Sequence, residues 1–250
     1  GYHATGRSAA FWDECYGGPG VVPLTLASGP FLADHGFLSP RGALYVGRAE
    51  DRGAIDSFLG IFAGTGVTLD RMDRPALARS VPMLRPEWCE AVHAPACADI
   101  DVAGLHQHYL AAARRAGVES VCRARVTSLV RRDGVWIIGT AAGAIHRAAR
   151  IVNAAGAWAD PVAELAGLAP LGIRPLRRTV VQLRVEPEAP ADLPLVLDVN
   201  GGFYFKPEAG RLWLSPHDEH ASEPCDAAAE ELDVAIAIER FVEATGWQIA

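Results

Sequence analysis

Lysine is almost absent from this chain. Of 23 basic residues only Lys206 is a lysine, against 22 arginines, a skew that reads as G+C-rich bacterial coding rather than selection for guanidinium chemistry. The five cysteines, Cys15, Cys89, Cys97, Cys122 and Cys225, are odd in number and include no C-x-x-C pair. That argues against a zinc site and against a disulfide framework, so reduced thiols in a cytoplasmic protein are the expectation. No apolar run approaches the roughly 18 residues of a membrane helix, and no basic segment leads into an apolar one at the start, as a signal peptide requires. Without a basic stretch to track a phosphate backbone, nucleic acid is not an expected partner. Internal repeats, low-complexity linkers and a G-x-S-x-G nucleophile motif are also missing.

What is present is an average globular composition. The 250 residues carry a net charge of −7, with 50% hydrophobic and 21% charged residues, which excludes disordered, collagenous and disulfide-dense classes. The length allows one large domain or two interleaved smaller ones.

Glycine and proline cut the chain into short units in which strand and helix signals alternate. Arg41 to Gly47 reads as a strand and Asp51 to Phe62 as an amphipathic helix. Gly66 to Leu69 is a short strand, and Asp73 caps a helix that runs to Ser80 with Pro75 in its first turn. Asp101 caps a second helix whose apolar residues Val102, Leu105, Tyr109 and Leu110 share one face, ending at Gly117. Strands follow at Ala124 to Val130, Val135 to Gly139 and Ala144 to His146, the first two joined by an Asp133-Gly134 turn. Arg150 to Ala154 is an apolar strand entering a small-residue turn and then a helix, Ala159 to Ala166, the order in which α/β folds bring backbone against a nucleotide. Pro175 to Val185, Leu195 to Val199, Gly202 to Lys206 and Arg211 to Ser215 are strands in close succession, the pattern of an antiparallel sheet. A helix from Asp226 to Ala244 follows.

Several segments could carry chemistry, and each has an ordinary reading beside the functional one. His3 to Ala10 is short and polar and leads into a helix start, which suits an anionic group or is simply a loop and cap. Ala154-Ala155-Gly156 could admit a cofactor or serve tight helix–strand packing. His106 and His108, two apart on a helix, point away from each other and make poor co-ligands. His217-Asp218-Glu219-His220 could chelate a metal, but a solvated turn is the better reading.

Four separated motifs change this balance: YHATGRSAA, ADIDVAGLHQHYL (98–110), VNAAGAWAD (152–160) and FYFKPEAGRLWLSP (203–216). In that order they resemble the flavin-dependent D-amino-acid oxidase (DAO) superfamily, most of all its D-arginine dehydrogenase-like members. The resemblance implies a mixed α/β fold, DAO/glycine-oxidase-like, with a Rossmann-like FAD-binding domain interleaved with a mostly antiparallel substrate-binding sheet. It implies a division into residues 1–40, 99–170 and 226–250 for FAD and 41–98 and 171–225 for substrate.

Carried over by position, the resemblance places Thr5, Gly6, Arg7, Ser8, Ala9 and Ala10 along the FAD diphosphate and the near edge of the flavin. It places the Val126 backbone at the adenine, and Ala154, Ala155 and Gly156 at a close approach to the cofactor. Arg178, Tyr204 and Tyr16 match residues that hold the substrate carboxylate, a planar guanidinium and two neutral hydroxyl donors. No catalytic residue and no metal ligand is implied.

Two positions depart from the D-arginine-type pattern. Ala43 stands where an acid meets a cationic side chain, and Phe11 stands where a histidine is expected, so a D-amino acid with a neutral or apolar side chain is the expected substrate. The activity implied is hydride transfer from Cα to FAD, giving an imino acid and then a 2-oxo acid and ammonia, with oxygen or a quinone as electron acceptor. A 2-hydroxy-acid dehydrogenase on the same fold, or a truncated remnant that binds no FAD, are the alternatives. The family's G-x-G-x-x-G unit is not in the chain, which starts at Gly1 where that unit would end, so an internal fragment is expected.

Overall fold

The computed structural model describes residues 3–250. Gly1 and Tyr2, the latter the first residue of the YHATGRSAA motif, lie outside the described residues. The chain forms two compact units. The first holds the described residues up to His108 together with Arg178–Asp218 and Ala228–Ala250, and the second holds Tyr109–Arg177 and Glu219–Ala227.

The first unit is organised by a seven-stranded sheet. Its strands run, edge to edge, Val181–Leu183, Arg211–Ser215, Tyr204–Glu208, Leu195–Asp198, Ala43–Arg48, Trp88–Ala94 and Asp70–Met72. All neighbours are antiparallel except Leu195–Asp198 and Ala43–Arg48, which are parallel. The period of two between successive side chains divides each strand between two cores. Leu44, Val46, Val196, Phe205, Leu212 and Leu214 go to one face, with Phe241 of the helix Glu231–Ala244 against them. Ala43, Tyr45, Val92, Leu195 and Leu197 go to the other, with Ile55 and Phe62 of the helix Arg52–Phe62. Tyr204 packs on this second face, and Lys206, two residues on, follows the same parity.

A smaller three-stranded sheet carries the start of the chain. Ala98–Ile100 lies between Phe11–Trp12 and Leu38–Pro40, with Asp99 opposite both Phe11 and Ser39. The second unit has an antiparallel meander, Val126–Arg132, Val135–Thr140 and Ile145–Ala148, and the helix Ala159–Leu165. Its first turn is Asp133-Gly134 with φ of +50° and +79°, the two positive values that a type I′ hairpin demands.

The two expected caps are formed. The Ala76 amide donates to Asp73 and the Gly104 amide to Asp101, each at 2.8 Å, at the starts of helices Arg74–Ser80 and Val102–Arg115.

Other expectations are corrected. No helix starts directly after Ala10: a single helical turn covers Ala4–Arg7, Ser8 to Ala10 continue without helical structure, and Phe11–Trp12 is a strand. The segment Arg150 to Ala154 is not a strand: it pairs with no strand among the described residues, and Val152 is 88% exposed. The expected strand Pro175 to Val185 is three short pieces, Leu176–Arg177, Val181–Leu183 and Val185–Glu186, each pairing with a different partner. The strand expected at Gly66 to Leu69 lies at Asp70–Met72, and the last helix begins at Glu231 rather than Asp226.

Residues before 40 and after 228 belong with the large sheet. The first are tied there by the small sheet through Ala98–Ile100, and the second by Ala237, Phe241 and Ala244, all fully buried.

Candidate functional site

Tyr204 opens the strand Tyr204–Glu208, where it stands opposite Ser215 and hydrogen-bonds to it. Burial raises the phenol pKa above its usual value, and the Ser215 hydrogen bond and the Arg178 guanidinium act against that rise. Tyr16 and Asp218 also act on this phenol, both in the raising direction. The structure therefore brings Arg178 and Tyr16 into the electrostatic surroundings of Tyr204, although the three lie far apart in sequence.

Arg178 is held at a corner rather than within a strand. Its Nη1 donates to the His217 carbonyl at 3.3 Å. The next residue, Thr179, is 1% exposed and ties Asp218 twice, through its amide at 2.8 Å and its hydroxyl at 2.9 Å. Asp218 is thus a turn-fixing carboxylate. Tyr16, by contrast, is 62% exposed.

Beside Tyr204 the walls are apolar. The Phe11 ring meets it edge-on, with centroids 5.9 Å apart. Phe11 and Tyr204 pack on the core that contains Ala43, which is fully buried. Within that apolar wall lies a carboxylate that sequence reasoning missed. Asp13 is 5% exposed, accepts the Tyr45 hydroxyl at 2.5 Å and the Cys15 amide at 3.0 Å, and has its pKa raised chiefly by burial. The same burial, aided by the Asp13 charge, pushes the Cys15 thiol up to about 12, so this cysteine is an inert core residue and no nucleophile.

The segment expected to meet FAD in the first unit has side chains of modest bulk. Ser8, Ala9 and Ala10 line a cavity of about 1040 Å³ whose other walls include Arg41, Asp99, Lys206 and Trp213. That volume accommodates a fused-ring ligand, and side chains no larger than a hydroxymethyl leave backbone within its reach. Thr5, Gly6 and Arg7 form the exposed helical turn just before it.

The remaining candidates belong to the second unit. Val126 begins the meander, opposite Thr140. Ala154 and Ala155 precede the helical turn Gly156–Trp158, where Gly156 has φ of +57° and a Cβ would meet nothing within 4 Å. A positive φ, rather than crowding by this chain, is what glycine supplies there. The Asn153 side chain accepts from the Ala155 amide at 3.3 Å and donates to the Ala159 carbonyl at 2.8 Å, shaping the turn. In the first unit, the small residues Ser8 to Ala10 on the cavity wall suit the close approach of a cofactor; in the second, Ala154 to Gly156 form a small-residue turn of the same kind.

Residues 1–244 match the family described as FAD dependent oxidoreductase (DAO). The chain belongs to this family. FAD is the cofactor of the DAO family, and its fold is the one described above. The chain is 36% identical over 128 residues to mitochondrial dimethylglycine dehydrogenase of Rattus norvegicus, covering 50% of this chain and 15% of that protein. The human protein of the same name is 36% identical over 128 residues, 14% of its length. The chain thus spans about one seventh of the curated relatives it matches.

Among solved structures, glycine oxidase from Geobacillus kaustophilus superposes with a TM-score of 0.78 at 20% identity, over 97% of this chain and 68% of that one. Iminodiacetate oxidase from Chelativorans sp. BNC1 does so at 0.73 and 23% identity, over 99% and 72%. At these identities they establish the DAO fold. No helix among the described residues is long and apolar enough to cross a membrane.

Proposed function

We propose that this DAO-family chain takes part in the FAD-dependent oxidation of a D-amino acid with a neutral or apolar side chain. The observation that carries the reading is the convergence on Tyr204 of Arg178 and Tyr16 beside the apolar Phe11 and Ala43. A guanidinium and two phenolic hydroxyls can fix a carboxylate by charge-assisted hydrogen bonds. The apolar wall then takes the side chain. Holding one carboxylate while confining one side chain sets which Cα–H is presented, and such orientation supplies a large part of a barrier reduction.

The chemistry that bound FAD would supply is an acceptor for the hydride of the substrate Cα. The amine gives up a proton as the carbon–nitrogen bond becomes an imine, and water converts the imino acid to a 2-oxo acid and ammonia. Thr5 to Ala10, Val126 and Ala154 to Gly156 are the residues proposed to hold the cofactor. No general base is assigned among the site residues, and a substrate amine that has lost its proton before reaction needs none. Oxygen or a quinone then serves as the electron acceptor.

The dimethylglycine dehydrogenase likeness favours a second reading, an N-substituted glycine as substrate. The products separate the two, because an N-alkyl carbon oxidised at its C–N bond leaves as an aldehyde and the amino acid keeps its nitrogen. The experiment is to incubate the 250-residue chain with FAD, remove free flavin, and assay D-leucine, D-phenylalanine, D-arginine and N,N-dimethylglycine for ammonia and for aldehyde. Ammonia from D-leucine or D-phenylalanine in excess of that from D-arginine supports the first reading, and aldehyde from dimethylglycine alone supports the second. A chain that keeps no flavin overturns both.

A further inference from the structure

The lone lysine of the chain is buried, and it faces the cavity lined by Ser8 to Ala10. Lys206 has 3% of its side chain exposed. Its Nζ donates to Asp99 Oδ1 at 2.6 Å and to Glu208 Oε2 at 3.0 Å, and lies 6.0 Å from the centre of the Trp213 ring. The other oxygen of Asp99 accepts from Arg41 Nε at 2.5 Å, and Arg41 also donates to the Leu193 carbonyl at 2.6 Å and, more weakly, to that of Ala191 at 3.4 Å.

The charges of this network do not cancel at equal depth. The two cations, Lys206 and Arg41, are 3% and 14% exposed, and the anion between them is 20% exposed. The second anion, Glu208, is 38% exposed and sits toward water, where its charge is better screened. The remaining charged residues around the cavity, such as Arg184, Glu186, Glu188 and Arg211, are exposed. The buried part of the cavity wall therefore carries a net positive charge, and burying an excess charge is costly unless something answers it.

We propose that Lys206 is an electrostatic positioning residue for the flavin: held by Asp99, its ammonium faces the ring bound beside Ser8 to Ala10 and stabilises negative charge on it. The inference rests on the reading that places Ser8 to Ala10 at the flavin edge. Its consequence is that the ring accepts electrons, or an anionic nucleophile, more readily than it does in water. Charge near the ring is one of the means by which a protein tunes a flavin.

Sulfite is the probe, because it forms a sulfur–nitrogen bond to an oxidised flavin and leaves the added negative charge on the ring. The 250-residue chain and three variants are loaded with FAD. FAD affinity is measured by flavin fluorescence and sulfite affinity by bleaching of the visible flavin band. Lys206→Met should weaken sulfite binding about tenfold or more, the scale of one charge several ångströms away in a protein medium. Lys206→Arg, which keeps the charge, should return it to within about threefold of the parent. Glu208→Gln, at the exposed rim, should leave the fold intact and tighten sulfite binding several-fold by removing the balancing anion, so the test stands even where Lys206→Met does not fold. Flavin-loaded Lys206→Met or Glu208→Gln with the sulfite affinity of the parent overturns the role of Lys206 while leaving the FAD reading in place. A parent chain that takes up no FAD overturns the FAD reading and this role together.

Discussion

The ammonium of Lys206 lies 2.6 Å from a carboxylate oxygen of Asp99, and this contact bridges two sheets. Asp99 is in the small sheet, opposite Phe11, while Lys206 is in the large sheet two residues after Tyr204. The pair thereby fixes the Ser8 to Phe11 segment relative to the face that carries the substrate candidates. Asp99→Ala leaves Lys206 with only the half-exposed Glu208 and removes a partner of Arg41. Breaking a buried pair from one side costs about 3 kcal/mol. Urea titration of the parent and the variant should show that loss in midpoint with little change in slope.

The burial of Asp13, which outweighs the opposing hydrogen bonds from Tyr45 and the Cys15 amide, makes stability depend on pH in an unusual direction for a carboxylate. Burial raises the folded-state pKa of Asp13 above 3.8, so the folded chain holds this proton more tightly than the unfolded chain does. That contribution is complete below the unfolded value and is lost as pH rises through the folded one. A neutral amide in place of the carboxyl mimics the protonated acid. Asp13→Asn should therefore melt close to the parent at pH 4 and progressively above it toward pH 7, as thermal scans across that range would reveal. A constant offset between the two proteins would contradict the argument.

The core on the opposite face depends on one aromatic stack. Phe241 lies parallel to Trp247, with ring centroids 6.0 Å apart, and edge-on to Phe205 at 5.4 Å, and is fully buried. Phe241→Ala should cost about 3–5 kcal/mol, the range for a buried aromatic truncated without collapse of the site. Phe241→Leu should cost well under half of that, since it keeps most of the apolar volume. Chemical denaturation of both variants measures the difference.

Local signals explain what was legible in the sequence. Asp73 and Asp101 announce their helices because a cap is a contact within three residues, and Asp133-Gly134 announces its hairpin for the same reason. The helix Val22–Asp34 was hidden by Gly29 and Pro30 in its interior. Gly29 is there because its helix presses on Trp12, whose ring would lie 2.9 Å from an added Cβ, a constraint between segments that no local pattern records. The strands Trp88–Ala94 and Ala98–Ile100 went unread because WCEAVHA and ADI owe their strand form to neighbours on both sides. Arg150 to Ala154 shows the converse, an apolar run that pattern alone reads as a strand and that has no strand partner among the described residues.

The same division holds for the candidate site. Arg178, Tyr204 and Tyr16 were singled out by the family resemblance, carried over by position. Asp13, Asp99 and Lys206 were given no role, although Asp99 and Lys206 lie within the matching segments 98–110 and 203–216, because nothing within a few residues of any of them marks it as buried. Only the scarcity of lysine in an arginine-rich chain set Lys206 apart.

The carboxylate-holding role proposed for Arg178, Tyr204 and Tyr16 can be divided among the three by mutation. Arg178 donates to the His217 carbonyl, and its planar guanidinium is the group proposed to pair with the substrate carboxylate. Arg178→Ala should raise KM for the best D-amino acid about a hundredfold, the scale of losing a charge-assisted bidentate contact. Arg178→Lys should recover only part of this, since a point charge lacks the fork geometry. Tyr204→Phe removes one neutral donor and should raise KM by roughly tenfold or less, near the value of a single hydrogen bond. Tyr16, being exposed, should matter less than Tyr204 in the unliganded fold and affect KM without altering thermal stability. Steady-state kinetics on the three single variants and the Arg178→Ala/Tyr204→Phe double variant complete the test. If the residues share one carboxylate, the double variant should lose less than the product of the single losses, because each group's contribution depends on the other's hold. Losses that multiply would assign Arg178 and Tyr204 to separate parts of the substrate.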